Sequence, residues 1–332
     1  MSHHPFQILR AAHAELRVSD LSKSRAFYVD ALGFVVSDET STEIYLRGVE
    51  ERNHHSLILK KSDTPAVGHL GFRVASNEDV EALYQFYLQQ GCYVRLREPN
   101  EEKGQGLAVL VQDPFGFPVE FFSDMTALEP YHQKYHLHRG GAVRRMDHFN
   151  LFVPNFSAAF EFWQKELGFK LTEYVETDEE PQEKTAAWLC RKPSVHDIAL
   201  MKGAGPRVHH IGFWMDDMMS IIRVCDILGG AAMHEHIERG PGRHGISNAF
   251  FLYLRDPDGH RIELYTSDYL TIDPDLQPIR WSAQDPRRQT LWGHSTPESW
   301  WKEASLVLDV QTSQRVAVSD YPPNGVAAQY IK

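Results

Sequence analysis

The sequence predicts an α+β protein in which four βαβββ modules pair into two domains. The first observation is self-similarity: "AHAELRVSDLSKSRAFYVDALGFVV" from Ala12 and "DHFNLFVPNFSAAFEFWQKELGFKL" from Asp147 follow one plan. Each reads as a strand, a turn with a Ser or Asp cap signal, an amphipathic helix, then Leu-Gly-Phe. The second is a further repeated pair, "GHLGFRV" with "QDPFGFPVEFF" in the first half and "HHIGFWM" with "RDPDGHRIELY" in the second. The third is the count of strand patterns, two or three after each helix, so that strands outnumber helices.

The modules fall at roughly 11–62, 66–124, 146–203 and 207–267. Residues 1–125 form an N-terminal two-module domain and 144–268 a C-terminal one. The stretch 126–143 joins them, because "MTALEPYHQKYHLHRGGAV" has turn residues and little periodicity. A tail without a repeat, 269–332, follows, in which Trp300 reads either as part of a lid or as an anchor for the tail.

Composition narrows the partners. The chain has 332 residues and a formal charge of −11, which argues against nucleic acid or an anionic membrane surface. A small substrate is expected instead. Cys92, Cys190 and Cys225 are odd in number and widely spaced, so neither a disulfide framework nor a thiolate zinc site is indicated. A cytoplasmic location follows, with no signal-peptide pattern and no apolar run long enough to span a bilayer.

Three strands carry an ionisable face. In "DHFNLFV", His148, Asn150 and Phe152 share one side and Phe149, Leu151 and Val153 the other. In "HHIGFW", His210 falls with Gly212 and Trp214. The hairpin "FFLYLRDPDGHRIELY" places Tyr253, Arg255, Arg261 and Glu263 opposite Phe250, Leu252, Leu254, Ile262 and Leu264. A single strand histidine is more often an inert core or surface residue. Here His148, His210 and Glu263 stand at corresponding repeat positions, and two imidazoles with one carboxylate suit Fe(II) or Mn(II). Three ligands on one side of an octahedron leave room for a bidentate substrate and dioxygen.

The segment "GRHGISNAFFLYLRDPDGHRIE" resembles the signature of the type I extradiol ring-cleaving dioxygenases of the vicinal oxygen chelate superfamily. A His, a Leu-Tyr pair, Asp-Pro, Gly and Glu stand in register, and the likeness extends over nearly the whole chain. The resemblance implies the glyoxalase, bleomycin resistance and dioxygenase fold. It implies one catalytic Fe(II) or Mn(II) per chain on His148, His210 and Glu263, and a homotetramer. Around the ion it implies His196, Tyr253 and His244 as catalytic groups, with Asn150, Trp188, Arg239, Arg288 and Trp300 binding the substrate.

The implied reaction is ring cleavage of a catechol by dioxygen, beside its two hydroxyls. With Tyr253 and His244 as donors and two arginines facing a ring side chain, 3,4-dihydroxyphenylacetate is the expected substrate. Other catechols, including chlorocatechol and dihydroxybiphenyl, remain alternatives, as do a glyoxalase-type metalloisomerase and a drug-binding module of the same superfamily. The N-terminal half also holds a triad on paper, with His13, His69 and Glu120 opposite the C-terminal set and His55 opposite His196. It is expected to be catalytically silent, because Glu15 stands where Asn150 does and Leu110 where Tyr253 does.

Overall fold

The computed structural model describes residues 4–319; the last part of the expected tail, 320–332, lies outside the described residues. The first module is β1 (Ile8–Val18), α1 (Leu21–Arg25, continued by a π turn at Ala26–Ala31), β2 (Val35–Glu39), β3 (Glu43–Arg47) and β4 (Leu57–Lys61). The second is β5 (Ala66–Val74), α2 (Asn77–Gln89), β6 (Val94–Arg97), β7 (Ala108–Gln112) and β8 (Pro118–Phe122). The third is β9 (Arg145–Val153), α3 (Phe156–Glu161, continued by a π turn at Phe162–Glu166), β10 (Lys170–Glu176), β11 (Lys184–Cys190) and β12 (Ile198–Lys202). The fourth is β13 (Arg207–Trp214), α4 (Met218–Gly230), β14 (Ile237–Arg243), β15 (Phe250–Arg255) and β16 (Arg261–Thr266). All four follow the βαβββ plan.

The capping signals act where the sequence places them. Asp20, Asn155 and Asp217 each accept hydrogen bonds from backbone amides in the first turn of their helices. Ser76 and Asp79 form a reciprocal capping box on α2. The repeated Leu-Gly-Phe has a backbone cause: Gly33 and Gly168 close the π turns at φ of 81° and 71°, where a side chain is strained.

Modules join edge to edge. The N-terminal sheet runs β2-β3-β4-β1-β5-β8-β7-β6, with β1 and β5 antiparallel at the seam. The C-terminal sheet runs β14-β15-β16-β13-β9-β12-β11-β10 and is extended by β17 (Ile279–Ser282) from the tail, parallel to β10. A short β18 (Ser305–Leu306) pairs with the outer end of β13. Apolar faces of both sheets share one core: Phe72 meets Phe149 and Trp163, each at 5.4 Å, and Phe34 meets Phe213 at 4.9 Å.

Register decides the site. His148 on β9, Gly212 on β13, Glu263 on β16 and Tyr253 on β15 stand in one row across four hydrogen-bonded strands. His210 pairs with Asn150 in the adjacent row. A Cβ at Gly212 would lie 2.1 Å from the Cε1 of His148, so only glycine lets that imidazole lie across its neighbour strand. The N-terminal sheet repeats the row with His13, Gly71, Glu120 and Leu110. No helix among the described residues is long and apolar enough to cross a membrane.

Candidate metal centre and cavity

The three donors expected from the sequence converge. Glu263 Oε2 lies 2.9 Å from His148 Nε2 and 3.1 Å from His210 Nε2, and the two nitrogens are 3.3 Å apart. Donors about 2.1 Å from a common first-row ion stand roughly 3 Å apart when mutually perpendicular, so the set fits one face of an octahedron. All three residues are buried, yet each lines a cavity of about 530 Å³.

Outer partners fix the tautomers. His148 Nδ1 donates to Asp147 Oδ2 at 3.0 Å, and Asp147 also accepts from the Tyr265 hydroxyl. The two Nδ1 atoms of His209 and His210 are 2.6 Å apart, and His209 Nε2 lies 3.0 Å from the Trp300 carbonyl. With His210 Nε2 kept as a ligand, its Nδ1–H donates to His209, which donates in turn to Trp300. The tail thus holds a metal-site histidine through one intermediate ring.

Burial lowers the His148 pKa, but hydrogen bonds to Asp147 and Glu263 and their charges override it and hold it at about 9. Burial takes His210 to about 4, opposed by Glu263. Glu263 stays well below the usual carboxylate range: burial raises it, and the two imidazoles hold it down. Below about pH 9, then, an incoming ion displaces one proton, from His148. Metal affinity should rise about tenfold per pH unit as pH approaches 9 and then level off. Chelator competition with Mn(II) between about pH 6.5 and about pH 8.5 checks this. A flat profile contradicts it.

The other expected residues divide by position. Asn150, Trp188, His196, His244, Tyr253, Arg288 and Trp300 all line the cavity, with Phe152, Ile246 and Ala249 completing an apolar wall. The His196 ring centroid is 4.0 Å from that of His148, and its Nδ1 has no hydrogen-bond partner among the described residues. Burial, then the nearby His148, places its pKa well below the ordinary value, so the ring is neutral. Trp300 lies in α5 (Ser299–Lys302) and is 4% exposed, so this part of the tail is packed wall in the structure described.

Two placements differ from the sequence reading. Arg239 is not among the cavity-lining residues. Its guanidinium is stacked on Trp300 at 4.6 Å and Phe251 at 4.8 Å, and donates to the Gln289 carbonyl and Thr290 Oγ1. These contacts hold it one layer behind the wall. Nor are Tyr253 and His244 both free donors: they bond to each other at 2.9 Å. Burial, with Arg239 adding to it, lowers His244 to about 3, so it is neutral; its Nδ1–H donates to the Gln289 carbonyl and its Nε2 accepts from Tyr253.

The N-terminal cluster is built differently. His13, His69 and Glu120 are joined by Glu102, which the sequence reading did not find because it lies in a loop without periodicity. Arg97 Nη1 donates to Glu102 Oε2 at 2.9 Å and Glu120 Oε2 at 2.5 Å, and Gln105 donates to Glu120 Oε1 at 2.6 Å. His55 is spent on Glu102, 3.0 Å away. The cleft here, about 280 Å³, is bordered by His69 and Glu102 of the cluster together with Glu15, Arg17, Lys60 and Arg97.

Comparison with known proteins places this architecture. The model of the glyoxalase/bleomycin resistance protein/dioxygenase superfamily matches residues 10–121 and 145–264, one match per domain. The chain belongs to that superfamily and, within it, to the metal-dependent extradiol ring-cleaving dioxygenases, for which catechols and dioxygen are the substrates and Fe(II) or Mn(II) the ion. It is similar to the homoprotocatechuate 2,3-dioxygenase of Brevibacterium fuscum, solved as an anaerobic complex with 3,4-dihydroxyphenylacetate. That match has 44% identity and a TM-score of 0.92, covering 96% of this chain and 99% of the other. The manganese-dependent 2,3-dihydroxybiphenyl 1,2-dioxygenase of Geobacillus genomosp. 3 is 35% identical over 86% of this chain and 94% of its own. The metapyrocatechase of Geobacillus stearothermophilus is 30% identical over 91% and 95%.

Proposed function

We propose that the chain cleaves 3,4-dihydroxyphenylacetate to 5-carboxymethyl-2-hydroxymuconate semialdehyde at His148, His210 and Glu263, with the N-terminal domain catalytically silent. The observation that carries the substrate choice is Arg288, a 7% exposed guanidinium set in the wall of a largely apolar, aromatic cavity. A guanidinium in that wall offers a ring carboxylate a charge-assisted, bidentate hydrogen bond. Similarity to the Brevibacterium fuscum enzyme, crystallised with this compound, supports the same reading.

When bound, the ion supplies Lewis acidity that ionises the catechol and a position beside it for dioxygen. The protein does the rest. His196, neutral and facing the cavity, takes up a catechol proton and later returns it. His244 fixes the Tyr253 hydroxyl, whose oxygen is left to accept from a substrate hydroxyl, with Asn150 in the wall. Trp188 and Trp300 flank the ring and exclude water. Arg239, behind Trp300, contributes positive charge without contact. The homotetramer rests on the family resemblance alone. A cytoplasmic location is supported by the cysteines, all three of which are free thiols.

A second reading, an apolar catechol such as dihydroxybiphenyl, is favoured by the apolar wall and by the Geobacillus relative. Anaerobic loading with Fe(II), then air and a panel of catechols, separates the two through the yellow product. The proposal expects the highest kcat/KM for 3,4-dihydroxyphenylacetate. Arg288→Ala should raise KM for that substrate roughly ten- to hundredfold, as for loss of a charge-assisted bond of about 1.5–3 kcal/mol, and leave 4-methylcatechol little changed. A wild type that prefers 4-methylcatechol or dihydroxybiphenyl refutes the carboxylate reading.

A further inference from the structure

We propose that the N-terminal domain carries a second metal site of four protein ligands, in which His13, His69, Glu102 and Glu120 hold a divalent cation of the zinc type that takes no part in ring cleavage. His13 Nε2 is 3.0 Å from His69 Nε2, 3.2 Å from Glu120 Oε1 and 3.4 Å from Glu102 Oε1. His69 Nε2 is 3.4 Å from Glu102 Oε2 and 3.8 Å from Glu120 Oε1. Four donors set tetrahedrally about 2.0–2.1 Å from one ion stand roughly 3.3–3.4 Å apart, close to these separations.

Two imidazole nitrogens and two carboxylates, all lone-pair donors, converge on one point. Two carboxylates against one guanidinium, Arg97, also leave negative charge among buried groups. Around the four sits the hydrogen-bonded shell that ligating carboxylates need: Arg97 and His55 on Glu102, Arg97 and Gln105 on Glu120. Glu102 supplies a fourth protein donor where the C-terminal triad has three. Four protein ligands complete a tetrahedral zinc coordination, the pattern of a structural site. It ties the loop between β6 and β7 to the sheet.

One difference sets its strength. Among the described residues His13 Nδ1 has no hydrogen-bond partner, whereas His148 Nδ1 has Asp147. Loss of such a partner typically costs 10–100-fold in affinity, so the N-terminal ion should leave first under increasing chelator.

The test counts ions on the full-length chain, stripped, reloaded with Zn(II), desalted and analysed by mass spectrometry. Wild type should carry two equivalents, Glu263→Ala one, and Glu102→Gln and His69→Ala one each. Glu102→Gln should still turn over catechol when loaded with Fe(II). The inference is overturned if wild type carries one equivalent that Glu263→Ala removes. It is equally overturned if Glu102→Gln and His69→Ala both keep two.

Discussion

His196→Phe is expected to retain the metal and to bind catechol, yet to slow the chemical step about 10²–10⁴-fold, the usual cost of losing a positioned acid and base. His196 is not a member of the triad, so the ligand set survives the change. The aromatic ring that replaces it keeps the packing against His148, whose centroid is 4.0 Å away, and removes only the nitrogens. Burial keeps the imidazole neutral, which is the state that accepts a proton from a catechol hydroxyl. Single-turnover mixing under saturating oxygen separates the chemical step from binding. Unchanged turnover would remove His196 from the mechanism.

Much of this was legible because strand side chains alternate. A period of two puts His148 beside Asn150 and Glu263 beside Tyr253's strand, and the repeat places these strands side by side. The capping residues and Leu-Gly-Phe turns marked the helix ends for local reasons that any reading of the chain recovers. What was hidden depends on contacts between distant segments. Neighbours on a strand point to opposite faces, so alternation gives no hint that Asp147 reaches the ring of His148.

His209 reads as a core residue until the tail, 91 residues on, brings the Trp300 carbonyl to it. The same tail residue stacks on Arg239, which the Gln289 carbonyl and Thr290 also hold outside the cavity lining. Glu102 and Gln105 come from a loop, where no periodicity predicts direction. The repeat aligns two candidate triads; only the placement of Arg97, Glu102 and the surrounding charges separates a four-donor cluster at a charged cleft from a triad that opens into an apolar cavity.

Ring cleavage is proposed to reside in the C-terminal triad, so loss of Glu263 is expected to abolish it. Removing Glu263 takes away the one anionic ligand of the set and leaves two neutral imidazoles, too few donors to keep a first-row ion against water. Removing Glu120 alters a cluster whose cleft has charged walls and no counterpart of Tyr253. The direct measurement is steady-state ring cleavage by Glu263→Ala and Glu120→Ala, each reloaded with Fe(II) under anaerobic conditions and checked for native circular dichroism. Glu263→Ala should show no turnover above background and Glu120→Ala should cleave catechol as the wild type does. An active Glu263→Ala beside an inactive, folded Glu120→Ala would place the catalytic centre in the other half.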